Sequence, residues 1–177
     1  MQTNPFSTFP DDSRLWIFPI SGDTSEPMLQ SIAEELKNWI QGWTAHKEAV
    51  VGGIALVAGK FLMVAADSRS ATTSGCSIDS MFQKVSETFA RNGVKTCDPS
   101  SIFIKNEVNT ISAVETMSRE EFRQACMNKT INESTIVFDP LVDRVGALRE
   151  GRFEVAIKNS WHLQLLNKYI ESASSPH

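Results

Sequence analysis

Cys76 is the residue of this chain whose type and position most directly suggest chemistry. It lies in Gly75-Cys76-Ser77-Ile78-Asp79-Ser80, where a loop rich in serine and threonine runs into an apolar pattern of helical period. A thiol in the first turn of a helix sits at the positive end of the backbone dipole. That position favours the thiolate, which is the nucleophilic form. A nucleophilic cysteine needs a base to take its proton, and the base works best when an acid orients it. His46 and Asp67 complete such a set. In a β-α-β-β-α-β chain, the end of the first helix, the end of the third strand and the start of the second helix meet at one edge of the sheet. Those places hold His46, Asp67 and Cys76.

Each residue also has a structural reading. Cys76 fits as a small buried side chain. His46 can interact with the last carbonyls of the preceding helix. Asp67 can bond neighbouring loop amides. Ser77 suits an N-cap and Asp79 suits the first helical turn. The same loop, Ser68 to Ser80, offers a second chemistry. Arg69, several hydroxyls and the free N–H groups of a helix start could hold a phosphate or carboxylate without any reaction. Arg69, Ser77, Asp79 and Ser80 are the residues such a ligand would meet.

The elements that position these residues are legible as patterns. Residues 1–12 are polar and proline-containing and read as a flexible arm. Leu15-Trp16-Ile17-Phe18 marks a strand that runs to Ile20. Thr24 or Ser25 caps a helix that carries Leu29, Ile32, Ala33, Leu36, Ile40 and Trp43 at helical spacing. Val50–Val57 and Phe61–Ala66 form a hairpin, and the second arm is apolar on both faces, as a central strand is. Ile78, Met81, Phe82, Val85 and Phe89 mark a second helix, which Asn92-Gly93 stops. Two short strands follow, Ser101–Ile104 and Val108–Ile111, around a Lys105-Asn106-Glu107 turn. The order is β-α-β-β-α-β, the ferredoxin-like pattern, whose first and third strands are central. Pro19 conflicts with a central strand unless it marks the strand's end. A helix near Ser118–Met127, strands near Thr135–Phe138 and Arg152–Ile157, and a last helix capped by Ser160 complete the chain.

The expected fold is therefore α+β. One domain spans residues 13–171, with a ferredoxin-like part at 13–112 and a C-terminal α/β extension at 113–171. Residues 172–177 form a flexible tail.

Composition excludes several functions. The formal net charge is −4 and no run of Lys and Arg occurs, so nucleic acid is not an expected partner. Ala49–Ala66 is about long enough to span a bilayer. Lys60 and three glycines interrupt it, and two buried strands joined at Ala58-Gly59 account for it better. Three scattered cysteines and no recognisable leader point to a soluble protein of the cytoplasm. Gly59-Lys60 is followed by Phe61 and lacks the rest of a phosphate loop. No dinucleotide fingerprint, CxxC or HExxH occurs, so neither cofactor nor metal is expected. Trp16, Trp39, Trp43 and Trp161 lie on apolar faces and read as core.

The chain resembles an uncharacterised bacterial family whose Bacteroidetes members are often labelled "ABC transporter ATPase". The resemblance rests on Arg14-Leu15-Trp16-Ile17, Trp43-Thr44-Ala45-His46, Gly75–Ser80, Thr135–Phe138 with Leu141-Val142, and Ser160-Trp161-His162. It implies a shared fold and draws His162 into the candidate site as an alternative to His46. It implies no activity, because the residues of a nucleotide hydrolase are missing. Three functions stay open at this point. The first is a ligand-binding or regulatory module taking a small anion. The second is a cysteine-dependent enzyme using Cys76 and His46. The third is an interaction module that pairs with a partner or with itself as a homo-oligomer.

Overall fold

A computed structural model describes residues 5–70, 73–108 and 111–174. The first stretch of chain gives β1 (Arg14–Ser21), α1 (Glu26–Ile40), β2 (Thr44–Ala45), β3 (Glu48–Ala49), β4 (Gly52–Val57), β5 (Phe61–Ala66), α2 (Gly75–Arg91) and β6 (Lys95–Thr96). It continues with β7 (Ile102–Val108), β8 (Ile111–Met117), α3 (Arg119–Met127), β9 (Ile136–Phe138), α4 (Val145–Arg149), β10 (Glu154–Ala156) and α5 (His162–Ser174). The protein is mixed α+β with antiparallel sheets, as the sequence implies.

The chain divides into two compact units. The first runs up to Cys97 and takes in Leu141–Glu150; the second comprises Asp98–Pro140 and the chain from Gly151 onward. The expected partition at residue 112 differs from this. Ile102–Val108 does not join β1. It pairs with β8 and β9 in a second sheet of order β10-β9-β7-β8. The expected turn at Lys105-Asn106-Glu107 lies inside β7, where Lys105 faces Val114. Residues 109–110, within the second expected strand, lie outside the described residues.

The sheet of the first unit has the order β4-β5-β1-β6, antiparallel throughout. β1 and β5 are central, the arrangement expected of the β-α-β-β-α-β pattern. Its fourth strand is the two-residue β6. Every residue of β5 is buried, which explains why its six side chains are apolar without alternation. Leu62, Val64 and Ala66 face a core built with Phe18, Ile20 and the buried stripes of α1 and α2. Pro19 is tolerated for a geometric reason. The Ile20 amide donates to the Lys60 carbonyl, so alternation turns position 19 away from β5. Pro19 there needs only its carbonyl, which accepts from the Cys97 amide at 2.8 Å.

The β4–β5 hairpin closes at Ala58 and Gly59, both at positive φ, with the Lys60 amide bonded to the Val57 carbonyl. Adjacent glycines in β4 permit one close approach on each face. A Cβ on Gly52 would press into Ile40, and one on Gly53 would lie 3.0 Å from the Phe6 ring. Phe6 is 2% exposed, so the arm expected to be flexible is anchored on the sheet through this ring. Arg149 holds it by donating to the carbonyls of Phe6, Ser7 and Phe9. The expected tail is also shorter than residue 172 would give, since α5 continues through Ser174. Residues 175–177 lie outside the described residues. Among the described residues no helix is long and apolar enough to cross a membrane.

Candidate functional site

The start of α2 is built by a reciprocal cap. Ser74, not Ser77, is the N-cap. Its hydroxyl accepts from the Ser77 amide at 3.3 Å, and the Ser77 hydroxyl accepts from the Ser74 amide at 2.8 Å. Ser77 is buried, and its carbonyl accepts from the Trp43 indole at 2.9 Å and from the Ser80 hydroxyl at 2.8 Å. Cys76 projects from this first turn and is exposed. Asp79 is exposed one turn further on.

Asp67 belongs to a separate arrangement. It ends β5 and is 6% exposed. Both of its oxygens are taken by Arg69, through Nε at 3.0 and 3.2 Å and Nη2 at 2.5 Å. The Arg69 amide adds a further bond at 2.9 Å. The guanidinium hydrogen bonds hold the Asp67 carboxyl below its usual range, burial opposing them. Arg69 is in turn tied to the Thr8 carbonyl. The groups that suggested an anion site are thus engaged with one another. Ser68 bonds the Asp12 carboxylate, and Ser70 bonds the Asp67 carbonyl. Residues 71–72 of this loop lie outside the described residues.

His46 is placed differently from its expected position. His46 does not cap α1, which ends at Ile40. It forms the tip of the β2–β3 hairpin with Lys47, both at positive φ, and is exposed. Among the described residues no hydrogen bond joins His46 to Cys76 or Asp67, so the Cys/His/Asp set is not assembled as a bonded triad. His162 lies in the second unit, at the start of α5, and is 1% exposed. It stacks on Trp161 at 3.8 Å, and its Nδ1 meets the Ser160 hydroxyl at 3.1 Å. Burial pushes its pKa down to about 4, with Asp139 opposing and Arg119 reinforcing the shift. The neutral imidazole is a core group of that unit.

A different feature of the first unit has the shape of a binding site. A cavity of about 810 Å³ opens between α2 and the edge formed by β1 and β6. Phe18, Phe82, Val85 and Phe89 form its apolar walls, with Ser86, Lys95 and Thr96 as its polar members. Phe82 meets Phe18 edge to face at 5.3 Å but is 44% exposed. It belongs to the apolar stripe of α2 whose other members, Met81, Val85 and Phe89, are buried. Phe82 is therefore the member of that stripe left partly uncovered in the first unit.

No family model, curated protein or solved structure matches this chain. The chemistry of the site therefore rests on these residues. Among the described residues no group of three or more His, Cys, Asp or Glu side chains gathers as a metal centre would. Sequence reasoning passed over the cavity because Phe82 fits a buried stripe by spacing alone. The one signal was the small-residue run Ser86, Ala90, Gly93 beside it, which leaves the groove open.

The thiols give a direct test of the nucleophile reading. Cys76 is expected to react with iodoacetamide in the native protein at a rate that His46→Ala leaves unchanged. Cys126 should stay unlabelled until unfolding, since burial removes access and pushes its pKa up to about 11. Mass spectrometry of timed samples reads both. A slower Cys76 in His46→Ala would restore the thiol–imidazole pair.

Proposed function

We propose that this chain is a small-ligand-binding module whose ligand lies in the cavity between α2, β1 and β6. The observation that carries the proposal is that cavity. Its volume falls within the range of about 300–1,000 Å³ typical of small-molecule sites, and its walls are apolar with a few polar groups. A half-exposed phenylalanine at its mouth gains by being covered. The Ser68–Ser80 loop is less suited to a ligand, because the Asp67–Arg69 pair and the Ser74–Ser77 cap already use its polar groups.

The resemblance implies a bacterial protein, and the three free thiols suit a reducing compartment such as the cytoplasm. Net charge makes nucleic acid an unfavourable partner. No bound cofactor is required, and a membrane is not part of the reading. If no ligand binds, the readings that remain are a cysteine-dependent enzyme using Cys76 with His46 and self-association through an edge strand.

The test is a cavity-filling substitution. Ser86 is exposed and lines the cavity, so Ser86→Trp should fill the space and leave folding intact. Anilinonaphthalenesulfonate, whose fluorescence rises in apolar surroundings, should bind the parent protein saturably with one site. Ser86→Trp should weaken that binding about tenfold or more, as blocking a preformed apolar pocket does, with the melting temperature retained. Equal binding by both proteins would dismiss the cavity as the site.

A further inference from the structure

We infer that two copies of this chain pair antiparallel through the open edge of β4, about a two-fold axis at Ile54. The register assigns the edge. The Asp67 amide donates to the Val51 carbonyl at 2.8 Å, and the pairing of β4 with β5 continues that ladder through Gly53, Ala55 and Val57. Alternation therefore turns the amides and carbonyls of Gly52, Ile54 and Leu56 away from β5. Among the described residues no backbone hydrogen bond reaches these groups from the open side. Natural sheet edges are blunted by charge, proline or shortness. The other edges follow that rule. β6 has two residues, one of them Lys95; β10 has three and includes Glu154; β8 carries Glu115. β4 has six residues, Gly-Gly-Ile-Ala-Leu-Val, with neither charge nor proline. An edge left in this form is a pairing surface.

A second copy is the occupant that β4 itself fits. The strand is uncharged, so self-pairing sets no like charges opposite each other. With the two-fold at Ile54, that residue faces its own counterpart, and Gly52 faces Leu56 of the second copy. Every open amide then meets an open carbonyl. Each Leu56 lies beside a residue that has no side chain. Ile54 and Leu56 are only partly buried against the core of their own copy, so pairing covers their remaining apolar surface. On the opposite face the same register sets Val51, 53% exposed, across from Val57 of the second copy. Two-fold pairing uses both β4 edges at once, so the assembly closes at two chains. β4 and the cavity lie at opposite edges of the sheet, and pairing is therefore testable without any ligand.

The experiment is sedimentation equilibrium of the full chain from micromolar to millimolar concentration, with amide hydrogen exchange read by NMR at both ends of that range. The mass should rise to twice that of one chain. In the dimer the amides of Gly52, Ile54 and Leu56 should exchange about tenfold or more slowly than in the monomer, while Gly53 and Ala55 stay protected throughout. Ile54→Pro removes an amide that β5 does not use and should weaken the dimer about tenfold or more. Val51→Lys changes an exposed side chain, places a charge on the edge and should also weaken it. Should Ile54→Pro fail to fold, Val51→Lys and the exchange pattern decide. A monomer at every concentration would overturn the inference and leave the edge to an extended segment of another protein. A dimer in which those three amides still exchange fast, or one that Val51→Lys leaves unchanged, would overturn it by placing the interface elsewhere.

Discussion

Replacing Phe122 by alanine is expected to destabilise the second unit by about 3–5 kcal/mol. Phe122 lies on α3 and is fully buried. Its ring meets Tyr169 edge to face at 6.3 Å and His162 at 6.4 Å, so it joins α3 to α5. It also belongs to the core cluster that includes Ile102, Ile104, Val137 and Leu166. Truncation removes the apolar burial and leaves a cavity that the two helices cannot collapse without breaking these contacts. Urea denaturation followed by circular dichroism checks the value. Phe122→Leu should lose much less, because it fills most of the same volume. A loss below about 1 kcal/mol for the alanine variant would mean that the α3–α5 seam contributes little beyond solvent exclusion.

Acid should weaken the same unit. His162 has a folded-state pKa near 4, against an ordinary value of 6.5. The folded protein therefore binds fewer protons than the unfolded chain between those values, so stability falls as pH falls. The full contribution is present above about pH 6.5 and is lost progressively toward pH 4. A shift of that size corresponds to about 3 kcal/mol. Asp139 and Arg119 are the charged groups that act on the imidazole, in opposite senses. Asp67, held low by Arg69, adds a loss of the same sign in the first unit at more acid pH. Denaturation midpoints measured at intervals from pH 7 to pH 4 should drop for the parent protein and change much less for His162→Gln. Proton NMR of the His162 ring gives its titration directly. A midpoint near the ordinary histidine value would show that water reaches the ring.

The helices α1, α2, α3 and α5 and the strands β1, β4 and β5 were legible because their signals are local. Leu29, Ile32, Ala33 and Leu36 repeat at helical spacing, and the six apolar residues of β5 can only suit a strand covered on both faces. The structure closes the start of α3 with a reciprocal Ser118–Glu121 cap, which needs no distant partner. The turn at Ala58-Gly59 was equally local.

The candidate site was less legible. Asp67 and Arg69 are two residues apart, yet only their shared position at the end of β5 commits one to the other. Cys76 was placed correctly at a helix start, but the cap begins at Ser74 and leaves Ser77 buried.

The sequence by itself determined α1, α2, α3 and α5, the strands β1, β4 and β5, the residues their apolar faces carry, and the central place of β1 and β5 in the first sheet. Those follow from backbone periodicity, which neighbouring residues set. Tertiary structure alone decided which strand completes that sheet, what surrounds His162, and whether the face bearing Phe82 is covered. Two-residue β6 took the edge that Ser101–Ile104 was expected to fill, because strand pairing is a choice among partners far apart in the chain. Periodicity reports that a face is apolar. It does not report whether another element reaches that face, and Phe82 stays 44% exposed beside the cavity.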